Sequence, residues 1–594
     1  MRKNHATMRQ HRPAMWRNRR VRLGGVLVAA TVAGASLLSP AGGAAARAAG
    51  ATGGAPPRPG TVTADPNGRH LATRSAGALD RPYHLARGVA AEPRAGSAGR
   101  HTVTIRGVDR DGAATAPEAE LIELSSGVAA PLAWTGTALT ATVAPGDYTL
   151  TAAVLTGPDP FNPTDITLYA EPTLRVTGDL SVTIDARTAQ PVRAEVPVPT
   201  AARVTDRAAV VQRVAGQVLT SYANGDADTT LHALPSRTTA TRDYAFLYMA
   251  AHAEPPAAAG SRAYYLGFPT LGGIPRTLTF AVAAGGLATV HARYLSQGVP
   301  PSGPGNRNEL IAFDTVPFTG VFGLERPVAV PGTATEYFTA TGVRWRGNLF
   351  TPVGTHALYE EQTAFRAFTP GAATTESWNA PAFGPSVQVG HGAGSLVVFA
   401  NPAQTGQPGR DALPGTEGAS STIRLFRNNS LVGQSTQPLY GEFAVPATAA
   451  DFRLELTVSR TPTASRYATR TTARWSFRSS GTGDPLDQLR QLPHIRATGA
   501  FDLTGRAPGG SAFPLDITAE PSGASVSGLT AQVTYNDGAS WTAVGVTPTA
   551  AGRWRATVNH PRTGHNGYVG LRFTATDGTG STLTHTTLRA YGLS

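Results

Sequence analysis

Two short runs of the sequence place oxygen-bearing side chains at alternate positions, as calcium-binding loops do. They are Asp109-Arg110-Asp111-Gly112 and Asn224-Gly225-Asp226-Ala227-Asp228. Calcium prefers carboxylate and amide oxygens, but a complete loop of this kind needs a longer series of ligands that ends in a glutamate. Neither run has that series, so we expect both to be polar turns between strands.

A zinc site would need histidines or cysteines at regular spacing. His560, His565 and His585 lie close in sequence, but their spacing is irregular, and the chain has no cysteine. We therefore predict no metal site, and we expect these histidines to lie at the surface or in loops.

Aromatic side chains could form a platform that binds a glycan or a partner protein. The candidate contacts are Trp345, Tyr359, Trp378 and Tyr568. The competing interpretation places large aromatic residues in the cores of β-sandwiches, and it fits Trp475, Trp541 and Trp554, which lie in or beside predicted strands. One sequence does not show which rings are exposed, so we favour the core interpretation and keep the platform as the alternative.

The elements that would carry these residues are predicted to be strands. Short alternating runs of β-branched and apolar residues recur between Gly, Pro, Asp and Asn, which is typical of an all-β protein. Such runs include residues 101–108, 139–143, 148–154, 180–184, 244–250, 277–283, 396–399, 422–426, 452–458 and 471–477. Residues 207–219 carry valines at helical spacing, but their β-branched content argues against a helix.

The last hundred residues give the clearest pattern. Residues 529–535 and 541–544 flank Asn536-Asp537-Gly538-Ala539-Ser540, whose residue types favour a tight connection between two strands. Further strand patterns at 553–558, 568–576 and 582–590 predict an immunoglobulin-like or fibronectin-like sandwich.

The N-terminus has the three parts of a secretory signal peptide. Nine basic residues and no acidic residue precede Ala51, an apolar stretch covers residues 23–38, and small residues end in Ala44-Ala45-Ala46-Arg47-Ala48. A membrane anchor is the rival interpretation, but the apolar stretch is short for a spanning helix. We therefore expect cleavage, secretion, and no membrane attachment of the mature protein.

Charge beyond this leader argues against a nucleic-acid partner. Of the 51 basic residues, 42 follow the leader, where they meet 39 acidic residues and leave a net charge of +3. The arginines are scattered and do not form a basic stripe. The absence of cysteine also excludes disulfides, so packing alone must hold an exported chain together.

These patterns divide the chain into six segments. We predict a signal peptide at 1–48, a disordered Ala/Gly/Pro-rich arm at 49–99, a β-sandwich at 100–199, a β-rich central module at 200–350, a β-sandwich at 351–496, and an immunoglobulin-like β-sandwich at 497–594. The run Pro145-Gly146-Asp147-Tyr148-Thr149-Leu150 resembles a turn and strand of carboxypeptidase-regulatory-like sandwich modules, which implies that fold for the first module.

From about residue 100 to the C-terminus, the chain resembles the non-catalytic C-terminal region of large secreted actinobacterial subtilisin-like serine proteases. The resemblance rests on residues 182–192, 376–387, 425–433, 475–478 and 589–593. It implies tandem β-sandwich modules that accompany a protease domain. It implies no catalytic residue in this chain.

Motifs of a protease domain are absent from the sequence. The nearest fragment is His391-Gly392-Ala393-Gly394, which lacks the threonine of the subtilisin histidine motif and leads into an apolar run. No nucleophile elbow, zinc-protease helix or phosphate-binding loop occurs either. The prediction is a secreted binding or scaffold protein that is not an enzyme, has no cofactor, and has an extracellular protease or a cell-wall polysaccharide as its partner.

Two alternatives stay open at this point. The chain could be a carbohydrate-binding or cell-wall-binding protein, which an exposed row of aromatic rings would favour. It could also be a hydrolase whose scattered carboxylates leave no linear motif. The sequence carries no signal for an oligomeric state.

Overall fold

The computed structural model describes residues 82–90, 99–240, 243–257, 260–301, 303–314, 322–353, 357–414, 419–437, 439–463, 465–520, 526–578 and 580–594. The regular secondary structure of these residues is almost entirely β-strand, which confirms the all-β prediction. The helical turns among them are 3-10 segments at Ala186–Thr188, Ala284–Gly286 and Pro485–Gln488. Within this part of the chain, no helix is long and apolar enough to cross a bilayer.

The first module is a sandwich of two sheets. Along His101–Val108 the alternate residues Val103 and Ile105 are buried, and they face Leu150 and Val154 of the opposite sheet. One sheet contains, in spatial order, Leu180–Asp185, His101–Val108, Ala138–Val143 and Ala133–Trp134, with Ala114–Thr115 beside His101–Val108. The other contains Gln190–Pro191, Thr230–Leu234, Asp165–Val176, Gly146–Thr156, Glu118–Glu123, Val128–Ala129 and Val89–Ala90.

A larger central sheet covers the outer face of that second sheet. Every residue of its strand Tyr244–Ala253 is buried, because Phe246 and Tyr248 face the first module while Leu247 and Met249 face the opposite side. Burial on both faces explains why this strand is a continuous apolar run in the sequence. The sheet contains Tyr83–His84, Gln217–Gly225, Ala202–Val214, Tyr244–Ala253, Ser261–Leu271, Gly332–Thr339, Leu287–Tyr294 and Ala373–Trp378.

The far face of the central sheet packs against a further sheet. Ile311, Phe313, Leu324, Trp345 and Leu349 enter the core that these two sheets share. The further sheet contains Phe322–Val328, Gly305–Phe313, Val343–Val353, Ala357–Thr363 and Arg410–Pro414, and a small ribbon pairs Arg193–Glu195 with Thr279–Ala281.

The C-terminal part has one hydrophobic core, shared by three sheets. The first contains Tyr440–Ala444, Ser395–Gln404, Gly384–His391 and Arg490–Gln491. The second contains Ser430–Ser435, Ala419–Arg427, Ala450–Arg460, Arg470–Ser479, Thr582–Leu593, Tyr568–Asp577, Val526–Thr534 and Thr542–Val544, with Arg506–Ala507 beside Thr582–Leu593. The third contains His494–Thr498, Ala512–Glu520, Arg553–Asn559 and Val546–Ala550.

The second of these sheets is continuous across two predicted modules. Arg470–Ser479 pairs antiparallel with Thr582–Leu593, with Arg470 opposite Leu588 and Ser476 opposite Thr582. Strands from 351–496 and from 497–594 therefore share backbone hydrogen bonds. The boundary at residue 496 between the two predicted modules stays a prediction.

Residues 207–219, which the sequence left between helix and strand, form a β-hairpin. Ala202–Val214 pairs with Gln217–Gly225 through a turn at Ala215 and Gly216, whose φ values are 48° and 81°. The β-branched valines favour a strand over a helix here, because each face of this strand packs against a core. The predicted hairpin around Asn536–Ser540 is confirmed, since Val526–Thr534 pairs with Thr542–Val544.

Part of the stretch predicted to be a disordered arm is ordered. Tyr83–His84 pairs with Gln217–Gly225, and Val89–Ala90 pairs with Val128–Ala129. The Ala86 amide donates to Ser221 Oγ at 3.0 Å. Each of these short strands pairs at the edge of a sheet. A strand of two residues is too short to give a periodic pattern in the sequence. The predicted signal peptide and the rest of the predicted arm, residues 1–81 and 91–98, lie outside the described residues.

Candidate functional site

The structure buries two of the four aromatic candidates. Trp345 and Trp378 are 0% exposed and belong to the core between the central sheet and the sheet of Gly305–Phe313. Trp345 Nε1 donates to the Thr339 carbonyl at 2.8 Å. Neither ring can stack on a ligand at the surface, because residues from both sheets cover it. The backbone of Tyr359 pairs with Thr351, and its side chain lies outside the described residues.

Trp378 lies between two guanidinium groups. Arg307 Cζ is 3.9 Å from the ring centroid and Arg410 Cζ is 3.8 Å from it. Both arginines are themselves buried. Such cation–π contacts strengthen when water is excluded, so this tryptophan serves as a structural partner for the two cations.

Buried carboxylates balance these arginines. Glu376 accepts from Arg410 Nη2 at 2.9 Å and pairs with Arg366 at 2.5 Å. Burial alone would raise the pKa of Glu376, but the hydrogen bond from Arg366 and the charge of Arg410 hold it below its usual range. Glu361 accepts from the Asn379 amide at 2.5 Å and from Thr405 Oγ1 at 3.0 Å.

A second group of charges lies beside the first. Arg326 Nη2 donates to Glu336 at 2.6 Å and its Nε donates to Tyr265 Oη at 2.8 Å. Arg307 pairs with Glu309, whose pKa burial raises to about 7 against the opposing charge of Arg307. Because these groups lie deep between two sheets, we assign them to the internal ion-pair network that joins the sheets.

Tyr568 is the candidate that reaches the surface. It is partly buried, lies edge-on to Tyr467 at 6.4 Å, and carries Arg589 over its ring at 4.7 Å. Arg589 in turn pairs with Asp537 at 2.8 Å. Burial raises the pKa of Tyr467 to about 12, and its hydroxyl donates to the Thr504 carbonyl at 2.5 Å.

That hydrogen bond connects the tyrosine pair to a surface groove of about 760 Å³. Three segments far apart in the sequence form the groove: the Pro/Gly-rich loop after Leu287–Tyr294, the turn before Gly332–Thr339, and the turn before Arg506–Ala507. Its lining includes Ser296, Val299, Pro300, Pro301, Val330, Pro331, Thr504 and Arg506. Arg506 Nη1 donates to the Leu593 carbonyl at 3.2 Å, which fixes one cation at the groove.

This groove is not among the sites predicted from the sequence. Its lining residues are mostly Pro, Gly and Val, which carry no recognisable chemistry one by one, and their proximity depends on sheet packing. The Pro/Gly density of residues 298–305 was the signal present in the sequence. It indicates a stiff loop but not what the loop faces.

The candidate calcium runs are stabilised by hydrogen bonds of their own. Asp226 Oδ1 accepts from the amides of Asp228 and Thr229, both at 2.9 Å, and the Asp226 carbonyl accepts from Arg203 Nη2 at 2.5 Å. In the other run, Asp109 Oδ1 accepts from the Ala113 amide at 2.8 Å. Among the described residues, no group of three or more His, Asp or Glu side chains is placed to hold a metal ion.

The expectation that the histidines of the last module lie at the surface or in loops is wrong for His585, because the strand Thr582–Leu593 carries it into the core. His585 is buried edge-on to Phe573, and burial, assisted by the charge of His494, lowers its pKa to about 3. His560 contacts Tyr535 and Tyr591, and burial lowers its pKa to about 4. His391 is also buried, with Nε2 at 3.1 Å from the Pro446 carbonyl and Nδ1 at 3.3 Å from Ser479 Oγ.

One aromatic side chain that the sequence analysis did not select is highly exposed. Trp134 is 72% exposed and lies on Ala133–Trp134, at the edge of the first sheet. Its strand is only a pair of residues, too short to give an alternating pattern that would mark it in the sequence.

Comparison with known proteins gives no family. No family model matches the chain, and no curated protein matches it. Fibronectin(III)-like modules of Clostridium thermocellum CbhA align with 33% of this chain and 88% of their own, at 12% identity and a TM-score of 0.12.

Two further solved structures align more broadly at similarly low scores. Trypsin-activated alpha-2-macroglobulin from Escherichia coli aligns with 81% of this chain and 36% of its own, at 10% identity and a TM-score of 0.14. The TIE protein of Bacillus anthracis aligns with 68% and 72%, at 9% identity and a TM-score of 0.10. The chain thus spans about a third of the macroglobulin that it matches. At these TM-scores the likenesses carry no functional argument.

Proposed function

We propose that this chain is a secreted, non-catalytic binding and scaffold protein whose packed sheets hold a groove for another extracellular protein. The observation that supports it is the groove beside Val299, Val330 and Arg506, with a volume of about 760 Å³. Ligand sites in proteins commonly measure roughly 300 to 1,000 Å³. Walls made of proline and valine lose little conformational freedom when a ligand binds.

The chemistry of the groove favours an extended polypeptide segment. Apolar walls would cover aliphatic side chains, and the exposed residue Arg506 would pair with a carboxylate. The resemblance of residues 100–594 to the appendage of subtilisin-like proteases makes such a protease the first partner to test. In this proposal the protease hydrolyses the substrate, and the chain described here binds the protease or that substrate.

The test compares a filled groove with an open one. Val299→Trp places an indole in the groove, and Leu271→Trp places one at an exposed strand end outside the groove lining. Binding of the purified secreted chain to an active-site-blocked, secreted subtilisin-like protease is measured by calorimetry. We expect Val299→Trp to weaken binding by about tenfold or more and Leu271→Trp to leave it unchanged.

Two results would contradict the proposal. Equal affinity in both variants would move the binding site away from the groove. Peptide hydrolysis by the purified chain, obtained from a host that lacks secreted proteases, would show that the chain is itself an enzyme.

Trp134 favours a second candidate function, carbohydrate binding. An indole that is 72% exposed is able to stack on the face of a sugar ring. Sedimentation with insoluble cell-wall polysaccharide tests this function. Loss of co-sedimentation in Trp134→Ala, but not in the control Leu431→Ala at another exposed apolar residue, would support it, and equal sedimentation of both variants would contradict it.

A further inference from the structure

A serine hydroxyl and a glutamine carboxamide meet in the interior of the C-terminal part. Ser386 lies on Gly384–His391 and Gln404 ends the neighbouring strand Ser395–Gln404. The register between the strands shifts between Gly384 and Ser386. Both side chains are buried, and Gln404 Nε2 donates to Ser386 Oγ at 3.1 Å. The nucleophilic oxygen is therefore held next to the amide group.

The carbonyl oxygen of this amide is held by two donors. Gln404 Oε1 accepts from the Ala412 amide at 3.1 Å and from Arg496 Nη1 at 3.4 Å. Arg496 is buried and anchored by Glu520 at 2.6 Å. A fixed backbone N–H and a guanidinium beside a carbonyl oxygen stabilise the negative charge that develops when the carbon is attacked.

The nitrogen of the same amide faces an acid. Gln404 Nε2 also donates to Asp411 Oδ1 at 3.2 Å. Asp411 is therefore placed to take up and return a proton at the departing nitrogen. Nucleophile, polarised carbonyl and proton carrier thus converge on the side chain of Gln404.

We propose that Ser386 and Gln404 join after folding in an intramolecular ester cross-link. Ser386 Oγ attacks Gln404 Cδ, and the Oγ–Cδ bond forms while the charge on Oε1 is held by Ala412 N–H and Arg496. The Cδ–Nε2 bond then breaks. The hydroxyl proton passes to Nε2, with Asp411 as its carrier, and one ammonia molecule leaves. No oxidant or other reactant is required.

The surroundings favour such a bond. The side chains of both residues are buried, so water, which would hydrolyse an ester, is kept away. The bond would close the hairpin between residues separated by 18 positions. The chain has no cysteine, so no disulfide can supply a covalent link of this kind.

Mass spectrometry tests the proposal on the full secreted chain. The measured mass of the intact secreted chain should be lower than the mass calculated from its sequence by one ammonia molecule. Phe399 lies between the two residues and no arginine or lysine does, so chymotrypsin separates them whereas trypsin cannot. We expect chymotryptic fragments containing Ser386 and Gln404 to stay linked, and to separate after treatment with alkaline hydroxylamine.

Matched variants identify the bonding atoms. Ser386→Ala should restore the full mass and yield two separate fragments. Ser527→Ala, which removes an exposed hydroxyl elsewhere, should keep the loss of ammonia. Asn566-Gly567 can also lose ammonia, by forming a succinimide, so the linked fragments decide the assignment and not the intact mass alone.

The proposal is overturned if the wild-type digest contains the two fragments only as separate peptides. It is also overturned if the loss of ammonia maps to an asparagine. Both results come from the wild-type protein, so they hold even if Ser386→Ala fails to fold. The test is independent of groove binding, because it involves no partner.

Discussion

At the scale of residues, Trp378 and its charged neighbours form one buried group. The spacing of Glu376 and Trp378 places both on one face of their strand, as alternation in a strand requires. Their partners Arg307 and Arg410 come from strands far away in sequence. The role of Trp378 as a buried partner of two cations therefore depends on tertiary packing.

Removal of one buried cation should destabilise the fold strongly. Arg410→Met leaves Glu361 and Glu376 in the interior without their shared guanidinium, and an uncompensated buried charge costs about 3 to 5 kcal/mol. Urea unfolding measures the change. Arg344→Met breaks an exposed pair with Asp314 and should cost less than about 1 kcal/mol. Equal losses in the two variants would contradict the assignment of Arg410 to a buried network.

Buried His585 predicts a specific pH dependence. Burial lowers its pKa to about 3 in the folded chain, against an ordinary value of 6.5. The unfolded chain therefore binds the proton first, and the free energy of unfolding falls as the pH falls from 6.5 toward 3. His585→Phe removes this contribution, so its unfolding free energy should decline less over that range. Parallel pH curves for the variant and the wild type would show that His585 does not titrate as the structure implies.

At the scale of elements, the alternation of apolar and polar residues predicted the positions of most strands. It did not predict which strands pair with each other. The run at 101–108 is the strand His101–Val108, and the run at 471–477 lies within Arg470–Ser479. Tyr244–Ala253 was recognisable as an apolar run, although its burial between two cores follows from the stacking of sheets. Very short strands such as Ala133–Trp134 gave no signal because two residues cannot show a period. The groove was not predictable either, since three turns from separate elements build it.

The turn between Ala202–Val214 and Gln217–Gly225 offers a test at this scale. Ala215 has a φ of 48°, which costs a residue with a Cβ roughly 1 kcal/mol relative to glycine. Ala215→Gly should therefore raise the free energy of unfolding by about 0.5 to 1 kcal/mol. Ala208→Gly, within the strand, should lower it instead. Thermal unfolding of both variants checks the two signs, and destabilisation by Ala215→Gly would contradict the turn geometry.

Over the whole molecule, the C-terminal sheet makes two predicted modules depend on each other. Arg470–Ser479 receives backbone hydrogen bonds from Thr582–Leu593, and Leu454, Trp475 and Leu583 belong to one core. A sequence pattern indicates the length of a module. It does not show that strands of two modules belong to one sheet. We therefore expect residues 419–479 and 526–593 to unfold as one cooperative unit.

Hydrogen exchange on the full chain tests that unit. Leu583→Ala removes a buried side chain and should cost about 2 to 5 kcal/mol. Because the sheet is continuous, amides in Ala450–Arg460 and Arg470–Ser479 should exchange faster together with those in Tyr568–Asp577. Leu168→Ala, in the core between the first module and the central sheet, should speed exchange there and leave the C-terminal sheet unchanged. If Leu583→Ala affected only residues after 497, the two predicted modules would be independent despite their shared strands.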